Sequence, residues 1–198
     1  MSIVALLSDF GTRDWFVAEM KGTILSIAPQ ATIVDITHEI PAGDLRTAAF
    51  ILYAAFRKFP SGTIFSQNVD PGTQSDRPVI IAKLSGHTFV APDNGSISWI
   101  FKDKKPEMIY SCSNRHYFQH EHSTFRGRDI ITPVAAHLAN GIPAEQFGPV
   151  INDYFAIPFP SASSSGDQII TEVLHIDRYG NIITSIDNNS IKDLHTNT

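Results

Sequence analysis

The chain has 198 residues, 42% of them hydrophobic, a net charge of −5 and one cysteine, Cys112. That length allows one large domain, or one domain plus part of another. The acidic balance without a basic block argues against nucleic acid as the main partner, and a lone cysteine excludes an intrachain disulfide and fits a reducing compartment.

The N-terminal run Ile3-Val4-Ala5-Leu6-Leu7 reads as a short buried strand. It lacks a basic flank and is too short for a signal peptide. No run reaches the length of a membrane span, so a cytoplasmic protein is expected. Directly after the strand comes Ser8-Asp9-Phe10-Gly11-Thr12-Arg13-Asp14. In open α/β sheets ligands bind at the carboxyl edge of the strands. Two carboxylates there suit hydroxyls or a positive charge and would repel a phosphate. Asp and Gly after a strand are also ordinary turn residues.

Further along, helical patterns at Trp15–Ile27 and Asp44–Phe56 alternate with strands at Thr32–Ile36, Thr63–Ser66 and Val79–Leu84. Asp44 is the expected N-cap of the second helix. Weaker strands fall at Thr88–Ala91 and Glu107–Ser111, and a third helix at Ile130–Ala139. The alternation predicts an α/β domain over residues 1–158, a mostly parallel sheet with helices on both faces. Phe159–Asp167 is small and polar, as a linker is. Gln168–Ile176 and Ile182–Ile186 read as strands around the turn Asp177-Arg178-Tyr179-Gly180-Asn181. Such a hairpin needs further strands, so residues 168–198 are expected to be the start of a truncated C-terminal β domain.

Three more polar clusters stand out. Val69-Asp70-Pro71-Gly72 follows a strand, with Arg77 close enough to fold back on Asp70. Taken alone, this is a loop with one ion pair. Thr124-Phe125-Arg126-Gly127-Arg128-Asp129 leads into a helix, where Asp129 favours the macrodipole. The third, Asp177 to Asn181, is a hairpin turn in its plainest reading. His120 and His122 form an H-x-H pair without an evident third ligand, weak grounds for zinc. They are expected in an exposed polar loop, and His38 and His175 take the same plain reading. No metal site is expected.

Together these motifs resemble one family, the S-adenosyl-L-methionine hydrolases or hydroxide adenosyltransferases, relatives of fluorinase and chlorinase. The resemblance is carried by Ser-Asp-Phe-Gly-Thr at 8–12, Val-Asp-Pro-Gly at 69–72 with Arg77, and Ala-Pro-Asp-Asn-Gly at 91–95. Thr-Phe-x-Gly-Arg-Asp at 124–129 and Asp-Arg-Tyr-Gly-Asn at 177–181 extend it to nearly the whole chain. It implies an N-terminal α/β domain, a C-terminal β domain, and a homotrimer with substrate bound between neighbouring subunits. It implies hydrolysis of S-adenosyl-L-methionine to adenosine and L-methionine by in-line (SN2) attack at ribose C5′, with no cofactor. By the same resemblance Asp70 and Arg77 belong to the group that orients and activates water. Asp9 would bind the ribose hydroxyls. Asp14, Asp177 and Asn181 would hold the methionine end, Tyr179 would lie beside the substrate, and Thr73 and Phe125 would line the pocket near the reacting carbon.

Two features depart from the pattern. The hydrolases usually carry His where this chain has Arg126. A guanidinium is no base, because it keeps its proton below a pH of roughly 12. Base work would then fall on Asp70, with Arg126 stabilising a hydroxide or another anion electrostatically. The second departure is the short C-terminal region, which predicts an open adenine pocket. Both features define an alternative, a catalytically impaired protein that binds S-adenosyl-L-methionine or adenosine. A halide-using relative is a third reading, with chloride near Thr73, Phe125 and Gly127, and the carboxylate of Asp70 counts against it. A phosphatase with an aspartyl nucleophile at Asp9 is a distant fourth, since Gly11 stands where its second aspartate belongs.

Overall fold

The computed structural model describes residues 2–72, 77–120, 124–165 and 168–186. It divides into two units, residues 1–157 and 158–198. In the first, β1 (Ile3–Ser8), α1 (Phe16–Ile27), β2 (Thr32–Thr37), α2 (Leu45–Ala55) and β3 (Ile64–Asn68) alternate. They are followed by β4 (Val79–Leu84), β5 (His87–Pro92), β6 (Met108–Cys112) and α3 (Thr132–Ala139). Asp44 caps α2 as expected, accepting from the Thr47 backbone N–H at 3.0 Å.

The six strands form one sheet in the order β2-β1-β3-β5-β4-β6. The pairs β1–β2, β1–β3 and β3–β5 are parallel. Strand β4 runs antiparallel to both its neighbours. The cause is local. Ser85 and Gly86 join β4 to β5 with φ of 52° and 78°. Two consecutive positive φ values make the tight hairpin turn that fits twisted strands. The sheet is therefore mixed, parallel on the side that begins the chain.

Period-two alternation gives the sheet two apolar faces. Val4 and Leu6 pack with Met20 and Ile24 of α1 and Val134 of α3. Ala5 and Leu7 pack on the other side with Ala48 and Leu52 of α2. From β1 the chain crosses through α1 to β2 on one side, then through α2 to β3 on the other. The carboxyl ends of β1 and β3 thus flank a topological switch point, where such sheets open a crevice. Asp9 follows β1 there, and Asp70 lies just past β3.

The segment before α3 is not ordinary helix. Gly127–Ile131 forms a π-helical turn, a wide-turn device that recurs at functional sites. Arg128 anchors it, with Nε and Nη2 donating to the two Asp129 carboxylate oxygens at 2.6 and 2.8 Å. Arg128 Nη1 also reaches Glu19 of α1 at 3.1 Å. The expected helix from Ile130 accordingly begins as this turn.

In the second unit, β7 (Ser163–Ser165) pairs antiparallel with β8 (Gln168–Ile170). Separately, β9 (Val173–Ile176) pairs with β10 (Ile182–Thr184). The single strand expected over Gln168–Ile176 is thus two strands with different partners. Between them Thr171 Oγ1 and Ser185 Oγ are 2.9 Å apart, and the Ser185 N–H donates to the Glu172 carbonyl. Among the described residues, no helix is long and apolar enough to cross a membrane.

Candidate active site

A pocket of about 340 Å³ opens at the switch point, lined by Asp9, Asn68, Asp70, Phe125, Arg126 and Gly127 among others. Its size falls within the range of small-molecule sites. The turn after β1 is held from outside. The Gly11 N–H donates to the His38 carbonyl at 2.7 Å, with Gly11 at φ 66°. Ser8 Oγ and His38 Nδ1 are 2.7 Å apart in the interior. His38 Nε2 lies 3.2 Å from Asp35 Oδ1. The exposed-loop reading of His38 is therefore wrong, since this ring is 3% exposed. The Ser8–His38 contact ties the end of β1, next to Asp9, to the residue just past β2.

Asp9 Oδ2 accepts from the Gly43 N–H at 2.8 Å. Burial raises its pKa, the nearby Asp70 charge adds to this, and the Gly43 bond opposes it. Asp70 is buried and gripped by two guanidiniums. Arg77 Nη1 donates to Asp70 Oδ1, and Arg126 Nη1 to Asp70 Oδ2 at 3.1 Å. Arg126 Nη2 also bonds the Arg77 carbonyl oxygen, which locks the two arginines around one carboxylate. Phe125 stacks on Phe16 with centroids 4.9 Å apart, and Arg128 lies 5.1 Å from its ring centroid.

The structure thus brings Asp9, Asp70, Phe125 and Arg126 to one pocket, with Arg77 behind Asp70. Asp14 lies exposed on the turn before α1 and does not line this pocket. Thr73 lies outside the described residues, as does His122. Asp177, Tyr179 and Asn181 belong to the second unit. There Asp177 Oδ1 accepts from the backbone N–H groups of Tyr179 and Asn181, both at 2.9 Å. Its Oδ2 accepts from Asn181 Nδ2 at 2.7 Å. The Asn181 side chain and backbone bonds hold the Asp177 carboxyl below its ordinary range. Tyr179 is 88% exposed.

Like Phe16, Asn68 is a pocket residue that the sequence did not point to. It ends a strand and looks like a strand terminator there. A larger groove of about 710 Å³ runs past Thr23, Tyr117, His120 and His137. It holds neither Asp9 nor Asp70. Among the described residues no three His, Cys, Asp or Glu side chains are grouped to hold a metal.

A doubly wound sheet with two carboxylates and two guanidiniums gathered at its switch point defines a polar small-molecule site of the α/β enzyme kind. Residues 4–148 match the family described as the SAM hydroxide adenosyltransferase N-terminal domain, and the chain belongs to that family. It is 35% identical to the (R)-S-adenosyl-L-methionine hydrolase of Thermus thermophilus, over 94% of this chain and 75% of that protein. The enzyme of the same name from Methanocaldococcus jannaschii is 32% identical over 94% of this chain and 67% of its own length. A fluorinase from an Actinoplanes species is 29% identical over 93% of this chain and 71% of that protein. A crystal structure of a conserved protein from Thermotoga maritima superposes with a TM-score of 0.90 at 33% identity, covering 98% of this chain and 74% of the other.

Proposed function

We propose that the protein hydrolyses S-adenosyl-L-methionine to adenosine and L-methionine. The observation that carries this reading is Asp70, held by Arg77 and Arg126 against a pocket that it shares with Asp9. The sulfonium makes C5′ of the ribose electrophilic and leaves as a neutral thioether. The protein then has only to deliver water in line. A bond forms between the water oxygen and C5′, and the C5′–S bond breaks with its electron pair going to sulfur. The proton passes from water to Asp70 and on to solvent.

In this scheme Asp9 accepts from the two ribose hydroxyls, which suits a carboxylate with several free lone pairs. Phe125 and Thr73 border the reacting carbon. Asp14, Asp177 and Asn181 take the methionine end, whose ammonium needs anionic and carbonyl partners, and Tyr179 lies beside it. The family resemblance favours a homotrimer in which the second unit of one subunit completes the pocket of its neighbour. No cofactor enters the scheme. A lone cysteine, with no intrachain disulfide to form, favours a cytoplasmic setting.

The direct test is to incubate the purified chain with S-adenosyl-L-methionine and separate the products over time. Adenosine and methionine should appear in equal amounts. Binding without release would favour the impaired binder instead.

A second expectation concerns pH. Asp9 binds hydroxyls as the carboxylate, and its raised pKa means that it protonates at a higher pH than the usual value of about 3.9. Substrate affinity should therefore fall as pH drops through that raised value, about tenfold per pH unit once below it. The fold responds oppositely. A carboxylate raised in the folded state costs stability when ionised, so that cost disappears as pH falls through the same window. Unfolding driven by Asp9 therefore cannot mimic the loss of binding. Calorimetric titration at several pH values should show this slope in the parent and a weak, flat response in Asp9→Asn. A flat parent would remove Asp9 from the ribose site.

A further inference from the structure

We propose that Asn68 holds the attacking water, and that it makes this site select a nucleophile that carries a proton over a halide ion. The inference rests on the hydrolytic reading above and deepens it.

Asn68 is the last residue of β3 and is 1% exposed. Its amide nitrogen donates to the Ser66 carbonyl at 2.9 Å, to Ser66 Oγ at 3.0 Å and to the Leu7 carbonyl at 3.5 Å. Two of these partners are carbonyl oxygens, which only accept. That fixes the orientation of the amide, with the NH₂ toward the sheet and Oδ1 away from it. Oδ1 has no hydrogen-bond donor among the described residues, although Asn68 lines the pocket with Asp9 and Asp70. Buried acceptors are paired almost everywhere in folded proteins. An unpaired one in a residue that lines the pocket marks where a donor binds.

The backbone of Gly127 lies close to that oxygen. A Cβ on Gly127 would lie 3.2 Å from Asn68 Oδ1 and 2.9 Å from Phe10 Cζ. Glycine at 127 therefore lets this backbone pack close to Asn68, where any other side chain would crowd the oxygen. Asn68 ends β3 and Asp70 lies two residues further on, just past the strand, and both line the same pocket. Water between them can give one proton to Asp70 and the other to Asn68 Oδ1. Both protons are then directed away from the substrate, and an oxygen lone pair is left to attack C5′. Asn68 keeps its hydrogen bond through the step and takes no proton.

A halide has no proton to offer, and the negative end of the Asn68 amide dipole faces the place it would occupy. The two guanidiniums on Asp70 would otherwise draw an anion in. Asn68 thus offsets them and acts as a specificity residue.

The test compares wild type, Asn68→Val and Asn68→Asp, each given S-adenosyl-L-methionine in a large excess of chloride. Adenosine and 5′-chloro-5′-deoxyadenosine are quantified together. In the second product chloride forms the bond to C5′ and the same C5′–S bond breaks, releasing methionine. The product ratio is read only from molecules that turn over, so partial misfolding does not move it. Asn68→Val should lower kcat for adenosine at least tenfold with KM within threefold. It should also raise the share of the chloro product at least tenfold. Asn68→Asp, which keeps an acceptor at that place but gives up the amide hydrogen bonds to the Ser66 and Leu7 carbonyls, should hold the wild-type ratio among the molecules that turn over. If Asn68→Val does not fold, Asn68→Ala reads the same ratio. Unchanged kcat and ratio in the valine variant would overturn the proposal, and so would a lower kcat at an unchanged ratio. Wild-type protein that releases no adenosine would overturn the hydrolytic reading and this one with it, and that failure shows in the parent rather than in the variant.

Discussion

Replacing Asp70 with asparagine is expected to lower kcat for adenosine release by at least about 100-fold, the lower end of what a positioned proton acceptor contributes. The substitution keeps the size of the side chain and one acceptor oxygen. It removes the charge and the ability to take a proton from water. Each carboxylate oxygen already takes one guanidinium bond, from Arg77 and from Arg126. A carboxylate has about four lone-pair sites, so it can still accept from a water in the pocket. Asparagine can accept only through its carbonyl, and its NH₂ would face one of the guanidiniums. Asp70→Ala is the poorer test. Removing one side of a buried ion pair costs on the order of 3–5 kcal/mol, and loss of activity would then be mixed with loss of fold. Steady-state kinetics together with a thermal melt separate the two effects. A kcat within threefold of the parent would make Asp70 only a tie between the two arginines, and the proposed chemistry would lose its base.

Much of this site is legible in the sequence because it sits where strands end. Asp9 follows an apolar run of five residues, and Asp70 follows another strand and precedes a Pro-Gly turn. The βαβ alternation alone puts both at one sheet edge. The reversal of β4 is written in Ser85-Gly86, a dipeptide whose weight as a hairpin signal is easily missed when two strands are read as members of a parallel set. His38 and Asn68 are a different matter. Each is a polar residue next to an apolar strand, and the sequence does not say which way its side chain turns. His38 is buried because Ser8 and Asp35 lie on adjacent parallel strands and converge on it. Asn68 faces the pocket because its amide nitrogen is taken by carbonyls behind it. Asn68 is held mainly by Ser66 two residues back, with a longer contact to Leu7 of the adjacent strand, whereas for His38 this is a fact of strand pairing at long separation, which local pattern does not encode. The split of Gln168–Ile176 has the same origin, since its halves differ in partner rather than in composition.

Arg126→His is the variant with the largest expected gain. Arg126, as a guanidinium, does not give up its proton in a protein, so the parent has no base at this position. Its guanidinium bonds Asp70 Oδ2 and the Arg77 carbonyl. It therefore orients the carboxylate but cannot take a proton. An imidazole there would lie beside Asp70, and its ordinary pKa is about 6.5. A base so placed is worth about 10²–10⁴ in rate, and the lost arginine contacts offset part of that. A net rise in kcat of at least about tenfold is expected near pH 7.5. Imidazole must be neutral to accept a proton. The gain should therefore be absent at pH 5, grow as pH rises through the imidazole pKa, and level off above it. That added limb is the difference between the two pH–rate profiles. KM should fall or stay level, because a fixed positive charge beside the cationic sulfonium is removed. If the histidine variant is no faster at any pH, then the pair of guanidiniums around Asp70, rather than a missing base, sets the rate of this site. Asp70 with the water held on Asn68 would then be the whole of the catalytic apparatus on the nucleophile side.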